Sequence, residues 1–325
     1  MNKKEDVIMS SDTKERDTKE INRRKFLMAG AAGAAGIAAA GVGMNKAWAQ
    51  PKAPDPKALW TNAKKGGKRV AIITDTQLNI GVPLARKMAT ANYNLVIADP
   101  RKGLPEELRS LGAKVIVVPG IEQEAPNHEG RPGVIQKVVD AAIKEFGGYD
   151  SVFIRTALHH PGGDILKCTG KDLFEHYEQN CLAVMYALQA VLPPLMKAGR
   201  GQIVVQTSAT GEKPQPMMLG YSVMRAAANM MCRCAAMTAA PKGVCINVVG
   251  TNFMNYPGFR EAAGAEDPKK FQAILDEIPM RRLGETEEAA HFTMALLDGY
   301  NMYTTGNFFP IAGGFNNAGM EPFGK

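Results

Sequence analysis

The chain has 325 residues, 45% of them hydrophobic, and a formal net charge of +7, which is enough apolar material for a large core and excludes a disordered chain. The positive charge is not gathered into Lys/Arg runs interleaved with aromatics, which argues against nucleic-acid binding. Five cysteines (Cys168, Cys181, Cys232, Cys234, Cys245) form an odd set without metal-ligand or disulfide-framework spacing, so core thiols and no metal are expected.

In chain order, residues 50–65 carry Pro51, Pro54 and Pro56 among lysines and read as an extended linker. Short β-branched runs then predict strands over 70–74, 95–98, 115–118, 152–154, 203–205, 245–248 and 308–311. Segments 80–92, 133–146, 175–198 and 219–240 have helical length and pattern. Strands that are apolar throughout and alternate with helices predict an α/β fold. This would be a doubly wound parallel sheet covered on both faces, in three αβα layers. Such a sheet takes its ligands at the carboxyl ends of its strands. No break in composition and no repeat divides residues 66–325, so one domain is expected there.

The strongest chemical signal is Ser208, at the end of the fifth predicted strand, followed by Tyr221 and then Arg225 four residues later. Positions i and i+4 share a helix face, so Arg225 can set its cation beside the phenol. A free tyrosine has a pKa near 10, and a neighbouring positive charge favours the phenolate. A serine hydroxyl within reach can bind the same substrate oxygen, which together makes a device for moving a proton on or off a substrate hydroxyl. His159 and His160 follow the fourth strand on the ligand side and read as loop residues. Met217, Met218, Met230, Met231 and Met237, on or beside the Tyr221 helix, read as packing.

Residues 22–28, Asn-Arg-Arg-Lys-Phe-Leu-Met, resemble a twin-arginine export motif; an Ala/Gly stretch over 29–42 and Ala47-Trp48-Ala49 follow it like a signal-peptidase site. A cleaved signal over 1–49, a folded protein delivered to the periplasm and no stable membrane span are what this implies. The segment holds nine Lys/Arg and six Asp/Glu, so its loss lowers the net charge from +7 to +4. The rest resembles the short-chain dehydrogenases/reductases almost end to end. Asn180 falls where that family carries an Asn beside its Ser and Tyr. Residues 199–204, 244–249, 282–290 and 312–314 match its other landmarks. The resemblance implies a Rossmann-like fold, a small-molecule substrate, the catalytic set Ser208, Tyr221, Arg225 and Asn180, and a homo-oligomer.

The cofactor loop departs from that family. In place of T-G-x-x-x-G-x-G stands Thr74-Asp75-Thr76-Gln77-Leu78-Asn79-Ile80-Gly81, with a carboxylate where phosphates are expected. Arg155-Thr156-Ala157-Leu158 replaces the N-N-A-G segment, and Arg225 replaces a lysine. A Ser–Tyr–Arg set with a degraded glycine loop is similar to the halohydrin dehalogenases, and Gly250-Thr251-Asn252-Phe253-Met254 resembles their halide loop. That likeness implies a lyase without nucleotide, with Asn252, Phe253, Met254 and Asn79 around a leaving anion. The alternative is an NAD(P)-dependent oxidoreductase, with Thr74, Gly81 and Asp99 holding NAD or NADP; a third reading, an exported binding protein without activity, is opposed by the intact Ser–Tyr–Arg set.

Overall fold

The computed structural model describes residues 60–77, 79–120, 131–155 and 163–317. The signal, most of the linker, His159 and His160 lie outside them. Among the described residues seven strands form one sheet: β1 (Arg69–Ile73), β2 (Tyr93–Ala98), β3 (Val115–Val118), β4 (Ser151–Arg155), β5 (Gly201–Ser208), β6 (Val244–Thr251) and β7 (Phe308–Ile311). Their order is β3-β2-β1-β4-β5-β6-β7, and every neighbouring pair is parallel.

The period-two alternation of strand side chains builds two cores. Val70, Ile72, Val152, Ile203, Val205 and Val248 point to one face. There they meet α3 (Arg131–Phe146), α5 (Ala183–Ala198) and α6 (Leu219–Ala239) through Val138, Phe146, Leu188, Val191, Ala228 and Cys232. Ala71, Ile73, Leu95, Ile97, Phe153 and Val249 point the other way, onto α1 (Gly81–Thr90), α2 (Leu104–Ser110) and α9 (Thr286–Ala295). The doubly wound three-layer fold expected from the sequence is the one observed. Between β6 and α9 lie two shorter helices, α7 (Pro257–Ala262) and α8 (Pro268–Glu277).

α5 continues from α4 (Gly170–Tyr177) through a π turn over Glu178–Leu182. The combined helix is long and apolar enough to cross a membrane. It is a core helix here, with Val184, Leu188, Val191 and Leu195 buried on the sheet.

Two expectations need amendment. Residues 60–65, read as the end of a linker, are pinned to the domain. Trp60 is buried and its indole donates to Gly299 O at 2.8 Å, while the Arg69 guanidinium lies 4.2 Å from its ring centroid. Thr61 and Asn62 bond Asp150, and Lys64 N–H donates to Phe146 O. Of the cysteines, Cys181, Cys232 and Cys245 are core thiols, pushed by burial to about 11, 12 and 11, whereas Cys234 is exposed.

Candidate active site

β1 and β4 are neighbours at the point where strand order reverses, and the carboxyl ends of β4, β5 and β6 open into a cavity of about 600 Å³. Ser208, the last residue of β5, lines it. Its Oγ donates to Thr251 O at 3.3 Å and accepts from Thr210 N–H at 3.2 Å, capping the short turn Ala209–Gly211. That turn presses on α6: a Cβ on Gly211 would stand 2.8 Å from the Arg225 backbone carbon, so only glycine permits the approach.

Tyr221 and Arg225 stand one turn apart on the first two turns of α6, both buried and both lining the cavity. The Arg225 guanidinium carbon lies 4.7 Å from the Tyr221 ring centroid. The cation therefore rests over the π face, where the ring quadrupole attracts it. His176 packs edge-on to Tyr221, with centroids 6.5 Å apart. The structure thus joins Ser208, Tyr221 and Arg225 as the sequence predicts.

Asn180 lies elsewhere. It is buried in the π turn, where its Nδ2 donates to His176 O at 2.9 Å, and it is not among the residues lining the cavity. It touches the site through His176, the residue against Tyr221. π turns interrupt helices mostly at functional positions.

The three residues assigned to a nucleotide serve the frame. Thr74 Oγ1 accepts the Arg155 backbone N–H at 3.1 Å, tying β1 to β4. Asp99 joins the ends of β2 and β3: its carboxylate accepts Gly120 N–H at 2.6 Å, and its carbonyl accepts from Gln77 Nε2 at 2.6 Å. Gly81 opens α1 so close to the preceding loop that a Cβ would stand 1.8 Å from Asp75 O.

The principal feature missed in the sequence is an ion pair. Asp75 and Arg155, each noted separately as a departure, meet: the Arg155 guanidinium binds the Asp75 carboxylate, with side chains only 18% and 8% exposed. Burial, then the neighbouring Arg225 cation, push the Arg155 pKa down, while Tyr256 and Tyr221 oppose that. Burial also raises the Tyr256 pKa. The carboxylate in the first loop is therefore neutralised from β4.

Asn252, Phe253, Met254 and Asn79, expected around a leaving anion, all line the same cavity as Ser208, Tyr221 and Arg225. Phe253 N–H, the donor such a site would need, is taken by Asn252 Oδ1 at 3.0 Å, and Asn252 Nδ2 donates to Gln215. The Phe253 ring packs edge-on against Phe315, and Met254 is buried in the core beside Gly284. Asn79 lines the cavity in a left-handed conformation, φ 56°, which asparagine tolerates well.

Comparison with known proteins agrees. The family described as enoyl-(acyl carrier protein) reductase matches residues 76–316, most of the chain. The chain belongs to the short-chain dehydrogenase/reductase family. It is 25% identical to 2,5-dichloro-2,5-cyclohexadiene-1,4-diol dehydrogenase of Sphingobium indicum, over 76% of this chain and 96% of that protein. It is 27% identical to 4-formylbenzenesulfonate dehydrogenase of Comamonas testosteroni, over 77% and 98%. The fold is also that of L-sorbose reductase from Gluconobacter frateurii, solved with NADPH and L-sorbose: TM-score 0.66, 22% identity, covering 77% of this chain and 97% of that one. Relatives that span nearly their whole length and are dehydrogenases overturn the expectation of a lyase without cofactor. Part of the physical reason is the ion pair, which offsets the Asp75 charge that the loop presents on its own.

Proposed function

We propose that this chain is an NAD(P)-dependent oxidoreductase that interconverts an alcohol and a carbonyl compound. The observation that carries the reading is the Arg225 guanidinium stacked on Tyr221 in the cavity that Ser208 also lines. The site fits a dinucleotide. The turn into α1 closes as tightly as glycine allows, and the Asp75–Arg155 pair adds no net charge to it. One continuous cavity reaches from Asn79 and Arg155 beside that turn to Tyr221 and Ser208. Pyrophosphates bind such turns at the first strand-to-helix junction.

When bound, the nicotinamide supplies the hydride acceptor or donor. Ser208 turns its hydroxyl from the long bond to Thr251 O toward the substrate oxygen and holds it. In the oxidation direction Tyr221 takes the hydroxyl proton; in reduction it gives its phenolic proton to the carbonyl oxygen. Arg225 stabilises the phenolate between those events, and the outer edge of its fork is where ribose hydroxyls would be held. Calorimetric titration of the purified protein with NADH and NADPH is expected to give micromolar binding of one of them. No binding of either at millimolar concentration would remove the reading.

We also propose that the protein is exported through the twin-arginine motif and works in the periplasm as a homo-oligomer. Val223, Met230 and Met237 are exposed at seven-residue spacing on α6, beside exposed Phe174 and Tyr177 of α4, and make an apolar stripe suited to a second copy. The periplasmic fraction should contain the chain at a light-scattering mass that is a multiple of the monomer's. Arg23→Lys with Arg24→Lys should abolish export and leave the multiple unchanged; export of that variant, or a monomeric mass, would count against the respective half.

A further inference from the structure

We propose that Arg155 is the residue that grips a phosphate oxygen of the dinucleotide, and that the Asp75 carboxylate occupies this grip until the ligand arrives. The inference rests on the oxidoreductase reading above and assigns it a cofactor anchor and a built-in competitor.

Asp75 follows β1 and Arg155 ends β4, the adjacent parallel strands at the reversal of strand order, where doubly wound sheets take their ligands. The pair is nearly buried. Arg155 also lines the catalytic cavity and lies within electrostatic reach of Arg225, Tyr221 and Tyr256. Its guanidinium therefore borders both the first turn and the reacting end of the site.

A guanidinium presents a planar fork of donors that suits carboxylate and phosphate oxygens alike, so the two acceptors compete for the same N–H groups. Each side of the pair has somewhere to go. Asp75 Oδ1 already accepts Gln77 N–H at 2.7 Å, so the carboxylate keeps a donor when the guanidinium leaves. The Arg155 backbone stays pinned by Thr74 Oγ1 at 3.1 Å, so only its side chain needs to turn. The apparent affinity is lowered by the fraction of molecules in which Asp75 holds the seat.

The test is calorimetric titration of wild type, Asp75→Asn, Arg155→Gln and the double variant with NADH and NADPH, and with a short 2-hydroxycarboxylate. Asp75→Asn should bind the preferred dinucleotide about tenfold more tightly, and Arg155→Gln about tenfold less tightly. In the double variant the gain from Asp75→Asn should largely vanish, because partners in one contact are not additive. An equal gain in both backgrounds would mean that Asp75 merely repels phosphate, and would overturn the competition. No gain in either background would also overturn it. A gain for the hydroxycarboxylate alone would seat the substrate there instead and overturn the assignment to the cofactor. If wild type binds and only these shifts fail, this inference falls alone; if wild type and every variant bind no dinucleotide, the oxidoreductase reading falls with it. Should Arg155→Gln not fold, as judged by circular dichroism, Arg155→Lys takes its place. It keeps the charge without the fork and should fall between wild type and the expected loss.

Discussion

Tyr221→Phe should lower kcat by about 10²–10⁴-fold, the range a positioned proton-transfer group contributes, while leaving dinucleotide affinity nearly unchanged. The substitution removes one oxygen and little else. Phenylalanine keeps the ring on which the Arg225 guanidinium rests at 4.7 Å and the edge that meets His176. α6 meets the Ala209–Gly211 turn at Arg225, Ala226 and Asn229, so the folded state should melt near the wild-type temperature. At 25 °C the rate loss corresponds to about 3–5 kcal/mol of transition-state stabilisation. Steady-state kinetics on whichever alcohol or carbonyl proves active, with kcat and KM reported separately, is the measurement. A variant changed only in KM would give Tyr221 a binding role and leave the proton to another group, for which Tyr256, a phenol lining the same cavity, is a candidate.

The grouping of Ser208, Tyr221 and Arg225 around one cavity was legible because its logic is local. Tyr221 and Arg225 are one helical turn apart, and Ser208 precedes them by one short connection. The seven strands were legible from their short apolar runs, and β1, β2, β5 and β6 are buried along their whole length, as a sheet covered on both faces requires. The short helix α2 was not anticipated, although Pro105 at its start and Glu106 and Glu107 in its first turn are ordinary helix-start signals. Its few buried residues make too weak a periodicity to catch. α8, with Asp267 capping it ahead of Pro268, carried a similar signal.

What could not be read was pairing across the sheet. Asp75 and Arg155 are 80 residues apart and become neighbours only because β4 returns to lie beside β1. Judged singly, each is a defect in a cofactor loop: an anion among expected phosphates, and a bulky cation in place of small residues. Judged together they cancel, which leaves the lost glycines and Arg225 as the departures from the family pattern. The same limit applies to the loop after β6. Its likeness to a halide loop was a likeness of residue names, whereas the direction of the Phe253 N–H, turned into Asn252 Oδ1, is a matter of backbone conformation. Phe253 adopts φ 53°, a left-handed value that nothing in its residue type announces.

Asp150→Ala should cost on the order of 4 kcal/mol, which for a domain of this size is a fall in Tm of about 8–16 °C. Asp150 is fully buried at the entrance to β4. Its Oδ2 accepts the Val70 backbone N–H at 2.7 Å and the Thr61 hydroxyl at 2.8 Å, and its Oδ1 accepts Asn62 N–H. One carboxylate thus ties the entering chain to β1, which leads into Asp75, and to β4, which ends at Arg155. Alanine would leave these donors facing a void, and buried donors without acceptors cost about 1–3 kcal/mol each. Asparagine is a poorer replacement than its shape suggests, because it has one accepting oxygen for the donors that two oxygens serve. Burial raises the Asp150 pKa, with the Arg69 cation and the three donors opposing. The folded state therefore holds its proton more tightly than the unfolded chain. The stability arising from that linkage is full below the unfolded carboxyl pKa and is lost as pH rises through the raised folded value. The gap in Tm between wild type and Asp150→Ala should accordingly be widest in acid and narrow toward neutrality. Scanning calorimetry across that range decides it: a gap of only a degree or two at every pH would mean that the entering chain is held by Trp60 and Asn62 alone, and that the buried carboxylate is dispensable.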